Sequence, residues 1–289
     1  MTTFNLILIA IIQGVTEFLP VSSSGHLILL PSLTGLDDQG LVIDVAAHLG
    51  TLVAVILYFW ADVRLAIFGT FRLLRGKVDT KGAFLALCLL IATVPVIIVG
   101  LILKVTGLAD AMRGIAVIGW TMLIFGILLY IADQKGETVK TAERWTMKDA
   151  AIMGLWQAVA LIPGTSRSGI TITAARMLGY ARPDAARLSM LMSIPTIIAS
   201  GALLSLDVIG TATAADLQNI AIVAVMSCIA ALAALAIMMR LLCSVSYTPY
   251  VIYRIVLGLV LLFIAYSSSP PTPEYPVQPV RTAGSWPIP

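Results

Sequence analysis

Hydrophobic residues occur along this chain in segments that are long enough to cross a lipid bilayer. A helix rises about 1.5 Å per residue, so about 20 apolar residues are needed to span the ~30 Å hydrocarbon core. Six segments meet this requirement, near residues 41–60, 82–104, 113–132, 188–206, 216–240 and 248–266. The pattern predicts an all-α polytopic membrane protein with six transmembrane helices.

Two further apolar regions are broken in the middle by proline, glycine and a cluster of polar residues. They span residues 4–34 and 150–179, and each leaves two halves shorter than the ~20 residues that a crossing requires. We predict that both are re-entrant helical hairpins, which enter and leave the membrane by the same face. Irregular backbone at membrane depth is tolerated only inside protein or beside a water-filled cavity, so the two hairpins should pack together.

The positions of lysine and arginine test this layout. The loops at 61–81 and 133–149 are rich in basic residues, whereas the loops at 35–40, 105–112 and 207–215 contain none. Cytoplasmic loops of membrane proteins carry an excess of these residues. The asymmetry therefore predicts that the first two loops are cytoplasmic and that the other three lie outside.

The two broken regions contain similar motifs, which indicates an internal repeat. QGVTEFLPVSSSG at 13–25 and QAVALIPGTSRSG at 157–169 both run from glutamine to glycine, with a proline and a serine-rich turn between. Each motif is followed by three spans, and an odd number of crossings inverts the second unit. We therefore predict an inverted-topology repeat, with repeat 1 at about 1–132 and repeat 2 at about 150–266, whose turns meet near the midplane.

Composition agrees with this architecture and narrows the function classes. Of the 289 residues, 59% are hydrophobic and 11% are charged, against about 25% charged residues in an average soluble domain. With so few charges, the net charge of +3 gives no indication of nucleic-acid binding. We expect a single integral membrane domain at 1–266, followed by a proline-rich, extended extracytoplasmic tail at 267–289.

The second turn, PGTSRSG, has the composition of an anion site. Gly164 permits unusual backbone angles, and the guanidinium of Arg167 suits phosphate oxygens bidentately. Three hydroxyls accompany it, on Thr165, Ser166 and Ser168. The half-helix that begins near Ser168 should direct unsatisfied backbone N–H groups, with their partial positive charge, at the same place.

The first turn adds a carboxylate and an imidazole. Its three hydroxyls belong to Ser22, Ser23 and Ser24. His26 follows them, while Gln13 and Glu17 precede them and share a helix face because they are four residues apart. A carboxylate beside a phosphate is expected where a divalent cation or a transferred proton lies between the two.

Ionisable groups inside the membrane are expensive. Their cost runs from ~2.5 to more than about 10 kcal/mol, so Glu17, His26 and Arg167 are better explained by a functional site than by a structural ion pair. Structural roles are instead favoured for Asp44, His48 and Arg254, and a lining role in the site is the alternative for Asp44 and His48.

The motifs QGVTEFLPVSSSGH and LIPGTSRSG resemble the two signature motifs of the bacterial undecaprenyl-diphosphate phosphatase family, the BacA type linked to bacitracin resistance. The resemblance covers essentially the whole membrane domain. It implies an enzyme of the bacterial inner membrane that hydrolyses the C55 isoprenoid diphosphate to its monophosphate and inorganic phosphate. This reaction would recycle the lipid carrier for cell-wall synthesis. The family's first motif has two possible carboxylate positions, and Gln13 occupies one of them here. Metal binding by this motif would therefore depend on the carboxylate of Glu17.

We hypothesise the following roles for the polar residues. Arg167 would clamp the diphosphate together with Thr165, Ser166 and Ser168, and Ser22, Ser24 and Gly164 would help to line the phosphate pocket. Glu17, with Gln13 as a further candidate, would hold Mg²⁺ or Ca²⁺ against the phosphate oxygens.

The nucleophile stays open between three candidates. His26 would serve as general acid or base, or attack phosphorus itself. Ser23 is the rival nucleophile or a phosphate ligand, and direct attack by water is the third alternative. The outward loops adjoin the first hairpin, so we expect the site to open to the extracytoplasmic side.

A second function class fits the same pattern. Inverted repeats with midplane hairpins are typical of transporters, so an ion-coupled transporter or a lipid-phosphate flippase is the alternative. A structural scaffold would leave the buried ionisable groups unexplained. The expected partners are a polyprenyl diphosphate lipid and bilayer lipids, and a homodimer remains open.

Overall fold

The computed structural model describes residues 2–23, 25–27, 30, 40–108, 112, 114–208 and 214–267. The predicted tail lies outside the described residues except for Ser267, and Ser24 lies outside them too. The described part of the chain is helical, with turns between the helices and one isolated β-bridge between Lys140 and Tyr180.

Ten α-helices have described bounds. They are α1 Thr3–Phe18, α2 Gly40–Tyr58, α3 Trp60–Leu73, α4 Lys81–Thr106, α5 Ile115–Lys135, α6 Met147–Val159, α7 Arg167–Met177, α8 Arg182–Val208, α9 Ala214–Leu241 and α10 Thr248–Ser267. A 3₁₀ helix, Ala142–Arg144, precedes α6, and the described residues between 23 and 30 are also helical.

Six of the described helices are long and apolar enough to cross a membrane: α2, α4, α5, α8, α9 and α10. The prediction of six spans is therefore confirmed. Helix α8 begins at Arg182, ahead of the predicted apolar segment. The apolar pattern does not include its first turns because they are polar, with Arg182 paired to Asp133 and Arg187 to Asp62. Helix α3 differs from the prediction, since the basic residues of the region from 61 to 81 predict a loop there.

Each broken region forms short helices on either side of a turn. Helix α1 ends at Phe18, and helical backbone resumes at Ser23. Helices α6 and α7, of 13 and 11 residues, are separated by the turn at 160–166 and contact each other. The breaks therefore occur where proline and glycine predicted them.

Helix α7 occupies the centre of the bundle. Nine of its 11 residues are buried, and it packs against α5, α6 and α8. The other contacts are arranged around it: α1 packs on α9 and α2, α6 packs on α4, and α5 pairs with α10. A helix that is buried on all sides is positioned by its neighbours, so the turn that precedes α7 is fixed within the protein interior.

A buried ion pair fastens one end of α7. Arg176 is fully buried and its Nε donates to Asp133 Oδ1 at 3.1 Å, while its terminal nitrogens donate to four backbone carbonyls. Asp133 also accepts from Arg182 Nε at 2.7 Å and from the backbone N–H of Tyr247 at 3.1 Å. The ends of α5 and α7 and the starts of α8 and α10 are thereby joined.

Candidate active site

The two turns lie against each other in the interior, as predicted. Arg167 Nη2 donates to Glu17 Oε1 at 2.6 Å, and Ser168 Oγ donates to the backbone carbonyl of Leu19 at 2.9 Å. These contacts join residues that are about 150 positions apart in the chain. A polar centre is therefore enclosed between α1, α7 and the helical residues that follow Ser22.

Both turns contain a serine with a positive φ angle. Ser22 has φ 75° and Ser166 has φ 69°, and these two serines occupy equivalent positions in the two motifs. A positive φ costs a residue with a Cβ atom of order 1–3 kcal/mol. Each serine hydroxyl also accepts a backbone N–H three residues later, from Gly25 at 3.4 Å and from Gly169 at 3.2 Å. The strain is thus partly offset by a helix cap.

Glu17 is the centre of the hydrogen-bond network. Its Oε1 accepts from Arg167, while its Oε2 accepts from Ser23 Oγ at 2.8 Å and from Gln13 Nε2 at 2.9 Å. The side chains of Glu17 and Arg167 are only 8% and 13% exposed. His48 Nε2 lies 3.8 Å from Oε2. A buried carboxylate is therefore held by one charged donor and two neutral ones.

His26 is oriented by two hydrogen bonds that lead away from Glu17. Its Nδ1 is 2.7 Å from the carbonyl of Ser22, and its Nε2 is 2.6 Å from the hydroxyl of Tyr253, whose ring stacks on the imidazole. A carbonyl can only accept, so Nδ1 carries a proton and Nε2 of the neutral ring accepts from Tyr253. Within the described residues, His26 makes no hydrogen bond to Glu17, Ser23 or Arg167.

The hydroxyls of the second turn divide into two kinds. Ser166 and Ser168 are 3.2 Å apart and both take part in holding the turn, through Gly169 and Leu19 respectively. Thr165 is equally buried but its Oγ1 has no partner among the described residues. Of these three hydroxyls, Thr165 is the one left for a ligand.

Gly164 is required by the geometry of this turn. Its φ is 86°, and a Cβ atom there would lie 2.2 Å from Thr121 Oγ1. That hydroxyl donates to the carbonyl of Pro163 at 2.6 Å. Any side chain at position 164 would therefore push α5 away from the turn.

Arg254 ties both turns to α5. It is fully buried and donates to the carbonyls of Pro20 in the first turn at 3.3 Å and of Thr165 in the second at 2.8 Å. Its Nε donates to the carbonyl of Met122 at 3.2 Å. The structural role favoured from the sequence is borne out, with carbonyls as the partners.

Comparison with known proteins identifies the family. The family model described as Bacitracin resistance protein BacA matches residues 6–260. This chain belongs to the BacA family. Its curated relatives include proteins named Undecaprenyl-diphosphatase from three bacteria. The Dinoroseobacter shibae protein is 69% identical over 222 residues, 77% of this chain and 83% of the relative. The Roseobacter denitrificans protein is 71% identical over 212 residues, which are 73% of this chain and 79% of the relative. The Saccharophagus degradans protein is 50% identical over 206 residues, which are 71% of this chain and 77% of the relative.

Two residues at the site of this BacA-family protein go beyond the favoured sequence prediction. Tyr253 is not among the predicted site residues, although a tyrosine next to an arginine in the last span is a signal for it. For His48 the sequence favours a structural pairing with Asp44, with a lining role in the site as the alternative. Its Nδ1 bonds the Asp44 carbonyl at 2.8 Å, which turns Nε2 towards Glu17. His48 therefore lines the site.

Three buried polar atoms in the site have no hydrogen-bond partner among the described residues: Gln13 Oε1, Thr165 Oγ1 and Arg167 Nη1. Leaving such an atom unsatisfied costs about 1–3 kcal/mol, and more for a charged group. Buried unpaired polar atoms are uncommon in native proteins and call for an explanation. A ligand with acceptor oxygens would satisfy the guanidinium N–H and the hydroxyl together.

The donor set also fits a divalent cation that is shared with such a ligand. No three His, Cys, Asp or Glu side chains of the described residues are grouped to hold a metal ion by themselves. Mg²⁺, however, is commonly bound through one or two carboxylates and the phosphate oxygens of a substrate. Glu17 would supply the carboxylate, and Gln13 Oε1 and Ser23 Oγ are oxygen donors nearby.

The buried ion pair predicts a characteristic pattern of stabilities. Arg167→Ala leaves the Glu17 carboxylate buried without its cation, and we expect a loss of about 3 kcal/mol in unfolding free energy. Adding Glu17→Gln should restore most of that loss, because the buried charge is removed as well. Thermal unfolding of the two single variants and the double variant in detergent measures the coupling. Additive losses would contradict a direct pairing.

Proposed function

We propose that this BacA-family protein hydrolyses undecaprenyl diphosphate to undecaprenyl phosphate and inorganic phosphate, which returns the lipid carrier to cell-wall synthesis. The observation that carries the proposal is that an N–H of Arg167 and the hydroxyl of Thr165, both in the second motif, have no hydrogen-bond partner within the described residues of a membrane-embedded bundle. The relatives that bear the name Undecaprenyl-diphosphatase support the same reaction.

The diphosphate would bind at the second turn. Arg167 Nη1 and Thr165 Oγ1 donate to the phosphoryl oxygens, and the N-terminus of α7 adds its partial positive charge. Gly164 keeps the turn close to α5, and Ser166 and Ser168 hold its shape. That Ser22 and Ser24 line the opposite wall of the pocket stays a prediction, and Ser24 lies outside the described residues.

Charge develops on the transferring phosphoryl group during the reaction. Most phosphoryl-transfer catalysis consists of positioning and electrostatic stabilisation of that group. Glu17 holds the Arg167 guanidinium in place through its Oε1. With Gln13, Glu17 would also hold a divalent cation, which supplies Lewis-acid stabilisation of the phosphate oxygens when bound.

The geometry favours Ser23 as the nucleophile. Its hydroxyl already donates to Glu17 Oε2 at 2.8 Å, so a proton acceptor is in place. Ser23 Oγ would bond to the terminal phosphorus, the anhydride bond to the lipid phosphate would break, and the Ser23 proton would pass to Glu17. Water would then attack the same phosphorus, the bond from phosphorus to Ser23 Oγ would break, and Glu17 would return its proton to Ser23. His26 would accept the proton of the water at Nε2, once Tyr253 has given up its hydrogen bond to that nitrogen.

The decisive test is phosphate release from undecaprenyl diphosphate by the purified protein in detergent, with and without a chelator. Thr165→Val removes a hydroxyl that has no partner in the described fold, so stability should be unchanged while kcat/KM falls about 10-fold or more. The Glu17→Gln, Arg167→Ala double variant should lose about 10³-fold or more in rate while remaining folded. Release should also depend on the divalent cation.

A matched control distinguishes the site from general damage. Thr93→Val removes a buried hydroxyl that bonds the Leu89 carbonyl outside the site, and its rate should equal that of the wild type. Absence of release from folded wild-type protein would reject hydrolysis. The transporter alternative would then be tested by counterflow of the lipid phosphate in sealed vesicles.

A covalent intermediate on Ser23 makes a separate prediction. In His26→Ala, the second step should slow more than the first, so labelled phosphate should accumulate on the protein. The label should map to Ser23 by mass spectrometry and vanish in the double variant with Ser23→Ala. Inversion of configuration at phosphorus in the overall reaction would contradict the intermediate and favour direct attack by water.

The helix contacts support an inverted-topology repeat with two re-entrant hairpins. Helix α1 packs on α9, the second span of the second half, and α6 packs on α4, the second span of the first half. The positive φ angles of Ser22 and Ser166, at equivalent positions of the two motifs, also support the repeat. With the basic loops in the cytoplasm, this arrangement in the bacterial inner membrane opens the site to the extracytoplasmic side.

Thiol labelling tests the side on which the site opens. In a cysteine-free background, Ser23→Cys should react with an impermeant reagent only from outside the cell. Glu143→Cys, whose side chain is 63% exposed in a loop rich in basic residues, should react only from the cytoplasm. Labelling of Ser23→Cys from the cytoplasm alone would overturn the orientation.

A further inference from the structure

His48 meets the Glu17 network from helix α2, and the hydrolysis proposed above gives it no task. Its Nδ1 lies 2.8 Å from the backbone carbonyl of Asp44, about one turn earlier in the helix. A carbonyl can only accept, so Nδ1 carries a proton and Nε2 of the neutral ring keeps its lone pair. Nε2 lies 3.8 Å from Glu17 Oε2. The ring therefore presents an acceptor nitrogen to a carboxylate.

Two acceptors in this arrangement are stabilised by a cation that both can bind. A separation of 3.8 Å is too long for a hydrogen bond, so the imidazole is not a donor to Glu17. Arg167 already gives this carboxylate a charged donor at 2.6 Å. Histidines that bind metal ions typically donate their other ring N–H to a carboxylate or a backbone carbonyl, which fixes the tautomer. His48 has this arrangement, with Nε2 as the ligand atom.

Further ligand atoms converge on the same carboxylate oxygen. Ser23 Oγ and Gln13 Nε2 lie 2.8 and 2.9 Å from Glu17 Oε2. Gln13 is fully buried, and its Oε1 has no hydrogen-bond partner within the described residues. A half-turn of this amide exchanges Oε1 and Nε2, which would bring an oxygen ligand next to Oε2. Glu17, Gln13 and His48 would then offer two oxygens and one nitrogen to an ion.

Helix α9 fixes α1 and α2 relative to each other beside these residues. A Cβ atom on Gly14 of α1 would lie 2.6 Å from the carbonyl oxygen of Ser227. One on Gly50 of α2 would lie 2.2 Å from the carbonyl oxygen of Ala224, and Ser227 Oγ donates to the Ala47 carbonyl at 2.9 Å. Both glycines lie within two residues of the ligands. The close contacts therefore hold the ligand positions, which a binding site must keep to within about 0.5 Å.

The charge of the site requires an ion to bind together with the substrate. Glu17 and Arg167 carry opposite charges and pair directly, so the two side chains leave no excess negative charge. The phosphoryl oxygens of a diphosphate would supply it, as they commonly do for Mg²⁺. The side chain of His48 is 37% exposed, against 8% for Glu17, so it gives the buried network a side from which an ion can enter.

We propose that His48 Nε2 binds the divalent cation at Glu17, together with Glu17 Oε2, Gln13 Oε1 and the phosphoryl oxygens of the substrate. The inference rests on the proposed function, because the cation and the diphosphate belong to that reaction. Mg²⁺ and Ca²⁺ prefer oxygen ligands, whereas an imidazole nitrogen favours transition ions. The site should therefore select Mn²⁺ over the Mg²⁺ or Ca²⁺ that the sequence predicts.

Pulsed electron paramagnetic resonance of bound Mn²⁺ tests the proposal. The full chain, purified in detergent without a polyhistidine tag, is mixed with Mn²⁺ and farnesyl methylenediphosphonate, a prenyl diphosphate analogue whose bridging carbon prevents hydrolysis. In the wild type, Mn²⁺ should couple to ³¹P of the analogue and to an imidazole ¹⁴N. In His48→Gln the ¹⁴N coupling should vanish and the affinity for Mn²⁺ should fall about 10-fold or more. The affinity for Mg²⁺ should change little, because the new side chain supplies an oxygen.

The matched control is His26→Gln, because His26 and His48 are the two histidines of the chain. Within the described residues His26 makes no hydrogen bond to Glu17, so the ¹⁴N coupling should remain in this variant. The same variant grown with ¹⁵N-labelled histidine should show a ¹⁵N coupling instead. This exchange assigns the ligand to His48 even if His48→Gln does not fold.

Coupling to ³¹P alone in the wild type would overturn the proposal. So would the absence of bound Mn²⁺, or a ¹⁴N coupling that is lost in His26→Gln and retained in His48→Gln. Phosphate release separates this failure from a failure of the proposed function. Release by a wild type without ¹⁴N coupling would leave hydrolysis standing and reject His48 as a ligand. A ¹⁴N coupling without any release would reject hydrolysis and retain His48 as a ligand.

Discussion

Backbone carbonyls that are exposed where helices break inside an apolar bundle must find hydrogen-bond donors, and Arg254 supplies them for both breaks. It donates to Pro20 in the first turn and to Gly164 and Thr165 in the second. An unsatisfied carbonyl at membrane depth costs several kcal/mol, so the two turns persist there only with such a partner. This one side chain therefore fixes their relative position, and with it the distance across which Glu17 and Arg167 meet.

Arg167, whose side chain is 13% exposed, differs from the fully buried Arg176 and Arg254 in how far its donors are used. Arg176 and Arg254 direct their guanidinium groups at carbonyls and, for Arg176, at the Asp133 carboxylate, which makes them structural ties between helices. Arg167 donates to Glu17 through Nη2, while its Nη1 has no hydrogen-bond partner within the described residues. A cation that is anchored yet incompletely satisfied is suited to phosphate, because it is positioned in advance and still has a donor to give.

The same frame is compatible with catalysis and with transport, since both need an anion site at the centre of a membrane bundle. The hydrogen bond from Ser23 to Glu17 favours catalysis, because it places a hydroxyl and a proton acceptor together at that site. Binding and release of an anion would not require it. Ser22 and Tyr253 orient His26 through both of its ring nitrogens, so proton transfer to Nε2 requires Tyr253 to give up its hydrogen bond.

The sequence by itself determined the six spans, the two breaks and the polar residues of both turns. Span length and hydropathy are local properties, and proline, glycine and serine act on the backbone where they stand. Only the tertiary structure decided that Arg254 serves the carbonyls, that His48 faces Glu17 and that Tyr253 holds His26. It also showed that Trp60–Leu73 forms helix α3, although the basic residues of this segment predict a loop. Spacing along the chain shows which side chains share a helix face, but the neighbour across that face is set by packing between helices far apart in sequence.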